Sequence, residues 1–462
     1  MPGSTALVWY RRDLRVHDHP ALGHATAGFD RVVPVFVVDE AILAGRWPSP
    51  NRWWFLARAL AALRKDIESR GGRLVIVRGD PVQEVPRLAR ELGASAVLVS
   101  RDYTPFGRAR DERVERALRG VGVEWRAGRG VLAHEPEDVL RDGTGAYHVF
   151  APFHRRWLAQ PSRPVLDAPR RIASGDVPLN LLGDPDDLLR HPVPTADQTL
   201  LLEPTEDAAR QRLATWSRSD ELRDYDTGRD RLDRDGTSRI SQDLRWGLLS
   251  PVEVLARCDG ADSGSTRFRT EIAWRDFYAH LLFHEPNVAR QSFRAELDGI
   301  WNPADESMVA AWQQGQTGYP VVDAAMRQVS AMGWMHNRGR MIVASFLTKH
   351  LLIDWRVGES WFMRSLVDGD PASNNGGWQW AASTGTDPQP YFRIFNPTLQ
   401  GRQHDPDGEF VRRWVPELRG MSDADIHEPP PGTYIAPIVE HRTARAAALA
   451  AYEAKQGPKK GR

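Results

Sequence analysis

A change of hydrophobic rhythm part-way along the chain constrains its fold more than any other feature. Short apolar runs at 7–10, 32–38, 73–78, 96–100 and 123–125 read as strands. Helical patterns fill the gaps, the longest over 51–70 with Trp54, Leu56, Leu60 and Leu63 at helical spacing. This alternation predicts a parallel, Rossmann-like sheet covered on both faces, an α/β domain over residues 1–132. In such sheets ligands lie at the carboxyl ends of strands, where this chain carries Arg11, Arg12 and Asp13, then Asp39 and Glu40, then Arg101 and Asp102. No GxGxxG follows the first strand, so a standard dinucleotide site is not expected there. Prolines at 161, 164, 169, 178, 185, 192, 194 and 204 then break every pattern, and 133–205 reads as a linker wrapped over the surface. From 206 to 452 helical periodicity dominates, predicting an all-α domain, and 453–462 reads as a disordered basic tail.

Composition narrows the function classes. At 462 residues the chain exceeds one hydrophobic core. No apolar run reaches membrane-spanning length and MPGSTALVWY lacks a signal peptide's regions, so a cytoplasmic, membrane-free protein is expected. A single cysteine, Cys258, excludes intrachain disulfides and four-cysteine metal sites. His17, Asp18 and His19 are adjacent loop positions that do not converge on one ion, so no metal is expected; a turn before a helix at Pro20 is the better reading. Sixty-one basic residues balance 61 acidic ones, so nucleic-acid binding requires a local patch.

Residues 318–400 hold an unusual mixture. Asp370, Ser373, Asn374 and Asn375 lie among Trp334, Trp355, Trp361, Trp378 and Trp380. Buried amides, carboxylates and indole N–H groups need partners, and a flat, polar-edged aromatic ligand supplies them better than a metal does. Thr317 is the expected N-cap of a helix with Pro320 in its first turn and Gly333 at its end. A second helix is predicted to begin near Asn337, placing Asn337 and Met341 on one face and turning Arg338 and Arg340 elsewhere. A third stretch runs over 359–367. Upstream, Thr237, Ser238, Arg239, Ile240 and Ser241 set hydroxyls at a helix start, suited to a pyrophosphate or to capping. Glu271 and Arg275 stand one turn apart, as a surface ion pair would.

The chain resembles the class I cyclobutane pyrimidine dimer photolyases of the photolyase/cryptochrome family. The likeness runs from WYRRDLRVHDHPAL at residue 9 to RWVPEL at residue 413, and is most specific in TGYPVVDAAMRQ, GWMHNR and NNGGWQWAASTGTDPQPYFRIFNP. It implies FAD in the helical domain. Tyr225 and residues 237–241 would hold its phosphates and ribose side, Arg340 would pair with Asp368, Asp368 and Asp370 would lie near the ring and ribose, and Asn374 would face flavin N5. It further implies light-driven electron transfer from reduced FAD to a pyrimidine dimer flipped out of DNA. Glu271 and Asn337 would hydrogen-bond the bases, Met341 would lie over the dimer, and Trp274 and Trp380 would be apolar walls. Trp378, Trp355 and Trp301 would carry electrons from the surface to oxidised flavin, Trp301 with a spacing to Trp312 one residue longer than usual. Arg229, Arg275, Arg338 and Arg393 are the implied phosphate contacts, with His154, Arg155 and Arg156 extending them. Folate-binding members carry Asn-Glu where this chain has Phe106-Gly107, which implies an 8-hydroxy-5-deazaflavin or FMN antenna rather than methenyltetrahydrofolate, near Arg11, Asp102 and Arg108 with Trp47 or Phe36 able to stack. A monomer acting on dimer-containing DNA is expected; the alternative is a cryptochrome-type light sensor.

Overall fold

The computed structural model describes residues 4–388 and 390–456. Five strands form one parallel sheet: β1 Thr5–Tyr10, β2 Arg31–Asp39, β3 Val75–Gly79, β4 Ala96–Ser100 and β5 Glu124–Gly128, in the order β3-β2-β1-β4-β5. The five runs expected from sequence are these strands, with ends shifted by at most three residues. β1 is buried along its whole length, and Leu7, Trp9, Val33, Val35, Val97 and Val99 share one core. A strand buried on both faces must be apolar throughout rather than alternating, which is how β1 and β2 read. The chain leaves β1 toward β2 and β3, then returns to add β4 and β5 on the other side. The switch point therefore lies between β1 and β4, just where Arg11 and Arg101 follow their strands.

The molecule divides into two compact units, one of residues 1–194, 202–223 and 238–286, the other of 195–201, 224–237 and 287–462. These boundaries differ from the expected 1–132, 133–205 and 206–452. Residues 133–194 belong with the sheet-bearing unit, and several of their apolar side chains are core: Trp157, Ile172 and Leu181 are buried. Ser174 donates to Val32 O at 2.9 Å and accepts from Arg73 N, so this proline-rich stretch borders the sheet rather than merely draping over it. Helix Pro50–Glu68 buries Phe55, Leu56, Leu60, Leu63 and Ile67, whereas the expected core member Trp54 is half-buried beside Arg58. Helix Ser263–His284 also belongs to this unit.

The second unit is helical, built on Pro320–Met332, Asn337–Ser345, Trp355–Ser365 and Pro371–Ala381 around Met326, Trp312, Trp355 and Trp378. Tyr319, not Thr317, holds the N-cap position of the first of these helices. Asp323 explains the difference: its carboxylate reaches back one turn to accept from Thr317 N and Oγ1 and from Gly318 N, so Thr317 serves that carboxylate instead of the cap. Gly333 ends the helix at φ 59°, as expected of a left-handed C-cap. The third stretch begins at Trp355 and ends at Ser365, earlier than the 359–367 read from sequence. The final helix, His441–Gln456, includes residues 453–456 of the expected tail; 457–462 lie outside the described residues.

Candidate functional site

Helix Asn337–Ser345 presents two different edges. His336 caps it, its Nδ1 accepting from Arg338 N at 3.1 Å. Along one edge Asn337 is exposed and its Nδ2 reaches Met341 Sδ at 3.7 Å, so the predicted i, i+4 pair shares a face. Arg340 turns away. It donates from Nε to Met335 O and from NH2 to Asp368 Oδ2 at 2.7 Å. The other Asp368 oxygen is buried and accepts no hydrogen bond among the described residues. A buried carboxylate oxygen with no donor costs about 1–3 kcal/mol or more, so this atom calls for a donor such as a ring N–H or ribose hydroxyl. Here the residues fit a flavin nucleotide.

Asp370 caps helix Pro371–Ala381, its Oδ1 accepting from Ala372 N and Ser373 N. Asn374 donates to Glu359 O, and Asn375 to Glu359 Oε1, while Gln379 donates to Asn375 Oδ1. This amide ladder fixes the helix that carries Trp378 and Trp380. Trp378 is buried against Phe362 and Trp312, ring centroids 5.0 and 6.0 Å away, and Trp312 touches Trp361 at 5.4 Å. Sequence reading did not give Trp312 a place beside Trp378; its distance along the chain hides a contact made only by folding. Trp355 is fully buried and donates to Ser292 Oγ. Trp301 is half-buried, T-shaped to Tyr452, and its indole N–H meets no acceptor among the described residues. Trp380 is half-buried against the same core. Tyr225 is buried in the short helix Tyr225–Gly228.

The hydroxyl run meets helix Ser241–Trp246, whose cap position is Ile240 with no side-chain cap bond. Capping therefore does not account for Thr237 and Ser238. Arg239 adopts φ 52°, in the left-handed region. The division into units falls between Thr237 and Ser238.

On helix Ser263–His284, Glu271 accepts from Arg267 at 3.1 Å. The Arg275 guanidinium donates to the carbonyls of Val131 and Leu244. Arg275, so engaged and largely buried, is the phosphate candidate whose setting suits that task least. Trp274 is half-buried and stacks on Phe150. Of the other candidates, Arg338 pairs with Asp230 at 2.6 Å and Arg229 approaches the same carboxylate. Burial works to raise Asp230, but Arg338 and Arg229 outweigh it and hold the carboxyl below its usual range. Arg393 is exposed, and its carbonyl accepts from the buried Lys349 ammonium.

At the sheet switch point Arg11 donates to Asp111 and to Ser100 O, and Arg110 lies 3.1 Å from Asp111 and 3.5 Å from Asp102. Burial would raise Asp102, yet Arg12, Arg110 and Arg11 hold it down at about 2. A side chain at Gly107 would strike that carboxylate, its Cβ only 2.2 Å from Asp102 Cγ. Arg108 instead covers the Phe283 ring and donates to Phe283 O. Phe36 is buried within β2, and Trp47 lies under Arg46. His17, Asp18 and His19 diverge to Glu253, Arg163 and Asp13 respectively. Among the described residues no cluster of three or more His, Cys, Asp or Glu could hold a metal ion, and no helix is long and apolar enough to cross a membrane.

Residues 6–170 match the family described as DNA photolyase, and 268–454 the FAD binding domain of DNA photolyase. The chain is 40% identical to a deoxyribodipyrimidine photo-lyase of Agrobacterium fabrum, over 97% of each chain. A bacterial class III photolyase structure from Agrobacterium tumefaciens superposes with TM-score 0.92 at 39% identity, covering 99% of this chain and 98% of that one. A cryptochrome structure from Synechocystis gives TM-score 0.88 at 28% identity, covering 97% and 99%. Overall likeness thus does not choose between class I and class III. With the sheet, the amide ladder and the Arg340–Asp368 pair all inside matches spanning nearly both chains, this chain belongs to the photolyase/cryptochrome family.

Proposed function

We propose that this protein is a deoxyribodipyrimidine photo-lyase that repairs cyclobutane pyrimidine dimers in DNA. The observation that carries the reading is the two-edged helix Asn337–Ser345, with Asn337 and Met341 together on one edge and Arg340 held by Asp368 on another. One rigid element thereby serves lesion and cofactor at once. Asp368 and Arg340 hold FAD, with Asp370, Asn374, Tyr225, Thr237, Ser238, Arg239, Ile240 and Ser241. Bound in its reduced form, FAD supplies on illumination the electron that opens the cyclobutane ring and takes it back afterwards.

The chain's own part is to bind, orient and exclude water. Glu271 and Asn337 accept and donate at the base edges, Met341 lies against the dimer, and Trp274 and Trp380 wall it from solvent. Asn374 would face the flavin ring, and its neutral amide, having no carboxyl proton to give, would favour an anionic reduced cofactor. The lesion reaches the pocket by flipping out, at reduced cost because a dimer stacks and pairs poorly. Arg229, Arg275, Arg338 and Arg393 contact the flanking phosphates. Trp378, Trp355 and Trp301 relay electrons when the cofactor is oxidised.

The antenna reading rests on Gly107. A side chain at this position would press on the Asp102 carboxylate, which supports reading Gly107 as a departure from the folate-binding pattern. An 8-hydroxy-5-deazaflavin or FMN is the expected second chromophore, and stoichiometric retention of methenyltetrahydrofolate on gel filtration would overturn this.

A light sensor of the cryptochrome kind would bind flavin without turning over the lesion. The deciding experiment is repair of a thymine-dimer oligonucleotide by pre-reduced protein under blue light and in darkness. Light-dependent loss of the dimer supports repair; flavin photochemistry with the dimer untouched supports the sensor.

A further inference from the structure

The proline-rich segment supplies an aromatic partner that none of the family motifs quoted above contains. Phe150 opens helix Phe150–Leu158 and lies face to face with Trp274, ring centroids 3.6 Å apart and planes within 7°. His154, one turn on, continues the column 5.2 Å from Phe150 at 12°. Phe277 closes the edge, T-shaped to Phe150 at 5.6 Å and to Trp274 at 5.5 Å. Aromatic pairs left to themselves prefer offset or edge arrangements. A nearly superposed pair is therefore set by the surrounding structure, and the structure shows what sets it. Trp157, on the same short helix, donates from Nε1 to Asp276 Oδ2 at 3.0 Å, and that oxygen also accepts from Ala133 N and His134 N at 3.1 Å. Asp276 follows Trp274 by two residues on helix Ser263–His284, so the latch ties the helix bearing Phe150 directly to the one bearing Trp274.

An indole turns about two side-chain torsions, and a ring used as a wall is effective only if its plane is fixed before the ligand arrives. Phe150 is buried and aims its face at the indole rather than at solvent. We propose that Phe150 is a positioning residue for lesion recognition, fixing the plane of the Trp274 indole against which the flipped-out dimer is held. The inference rests on the repair reading given above.

The test compares the full-length protein with Phe150→Leu, Phe150→Tyr, Trp274→Ala and the double variant Phe150→Leu/Trp274→Ala. Each is titrated with a thymine-dimer oligonucleotide and its undamaged counterpart, alongside a melting curve. Phe150→Leu is expected to weaken dimer binding about 2- to 10-fold, the range of a lost aromatic pair, while leaving the undamaged duplex within about twofold. Phe150→Tyr should restore dimer affinity, and Phe150→Leu should add little on top of Trp274→Ala. Equal weakening of both oligonucleotides, no weakening of either, or full additivity with Trp274→Ala overturns the proposal. Should Phe150→Leu not fold, Phe150→Met fills the space without a ring plane and is read by the same criteria. Wild-type protein that leaves the dimer unrepaired in light overturns the reaction itself, whereas wild-type repair with an unchanged Phe150→Leu overturns Phe150 alone.

Discussion

Glu271 shows how much of a residue's role is decided by its neighbours. One turn from Arg275, it pairs with Arg267, and Arg275 donates to two carbonyls. An ion pair on such a half-exposed surface contributes little to stability. Glu271→Ala should therefore slow repair and weaken dimer binding by about 1–3 kcal/mol, since a base edge loses its acceptor. Melting temperature should hardly change. Unaltered dimer affinity would mean that Glu271 serves only Arg267. Trp378 allows a separate test, because in the proposed relay the path that reduces an oxidised cofactor and the path to the lesion use different atoms. Trp378→Phe should abolish photoreduction and leave repair by pre-reduced enzyme nearly intact. Equal loss of both would make Trp378 a packing residue.

Helix Asn337–Ser345 depends on its cap. Burial drives the His336 ring down to about 4, with Arg338 and Arg340 adding to the effect and Asp230 opposing it. An unfolded histidine titrates near 6.5, so as pH falls the unfolded chain takes up the proton first. This group's contribution is thus complete above about 6.5 and lost progressively toward 4, on the order of 1 kcal/mol per pH unit. His336→Asn keeps a capping acceptor and removes the titration. Its melting temperature should fall less steeply than wild type between those pH values; an unchanged slope would place the sensitivity in another buried histidine, such as His404. Strands β1 and β2 were legible because burial on both faces leaves an unmistakable apolar run, and Gly333 because a left-handed cap selects glycine. The cap at Thr317 was misread because Asp323 competes for the same hydroxyl, a contact that no local pattern records. Likewise nothing local joins Trp312 to Trp378, or Phe150 to Trp274, whereas the face shared by Asn337 and Met341 follows from helix geometry alone.

For the whole molecule, equal numbers of acidic and basic residues mean that DNA affinity must come from a few placed arginines. Binding should remain strongly salt-dependent, and Arg393→Ala should weaken damaged and undamaged duplexes alike while flattening the salt slope by about one unit. An unchanged slope would move that phosphate contact elsewhere. The boundary of the sheet-bearing unit was hidden in the sequence because prolines erase periodicity without preventing burial: Trp157 and Ile172 are core residues in a stretch with no repeating pattern. The central claim is cyclobutane dimer repair. It is tested most directly by mixing equal amounts of a thymine cyclobutane dimer and a (6-4) product, in otherwise identical oligonucleotides, with pre-reduced protein under blue light. Chromatography then follows each lesion over time. Light-dependent loss of the cyclobutane dimer is expected, with the (6-4) product unchanged. Persistence of the cyclobutane dimer, or efficient loss of the (6-4) product, would contradict it.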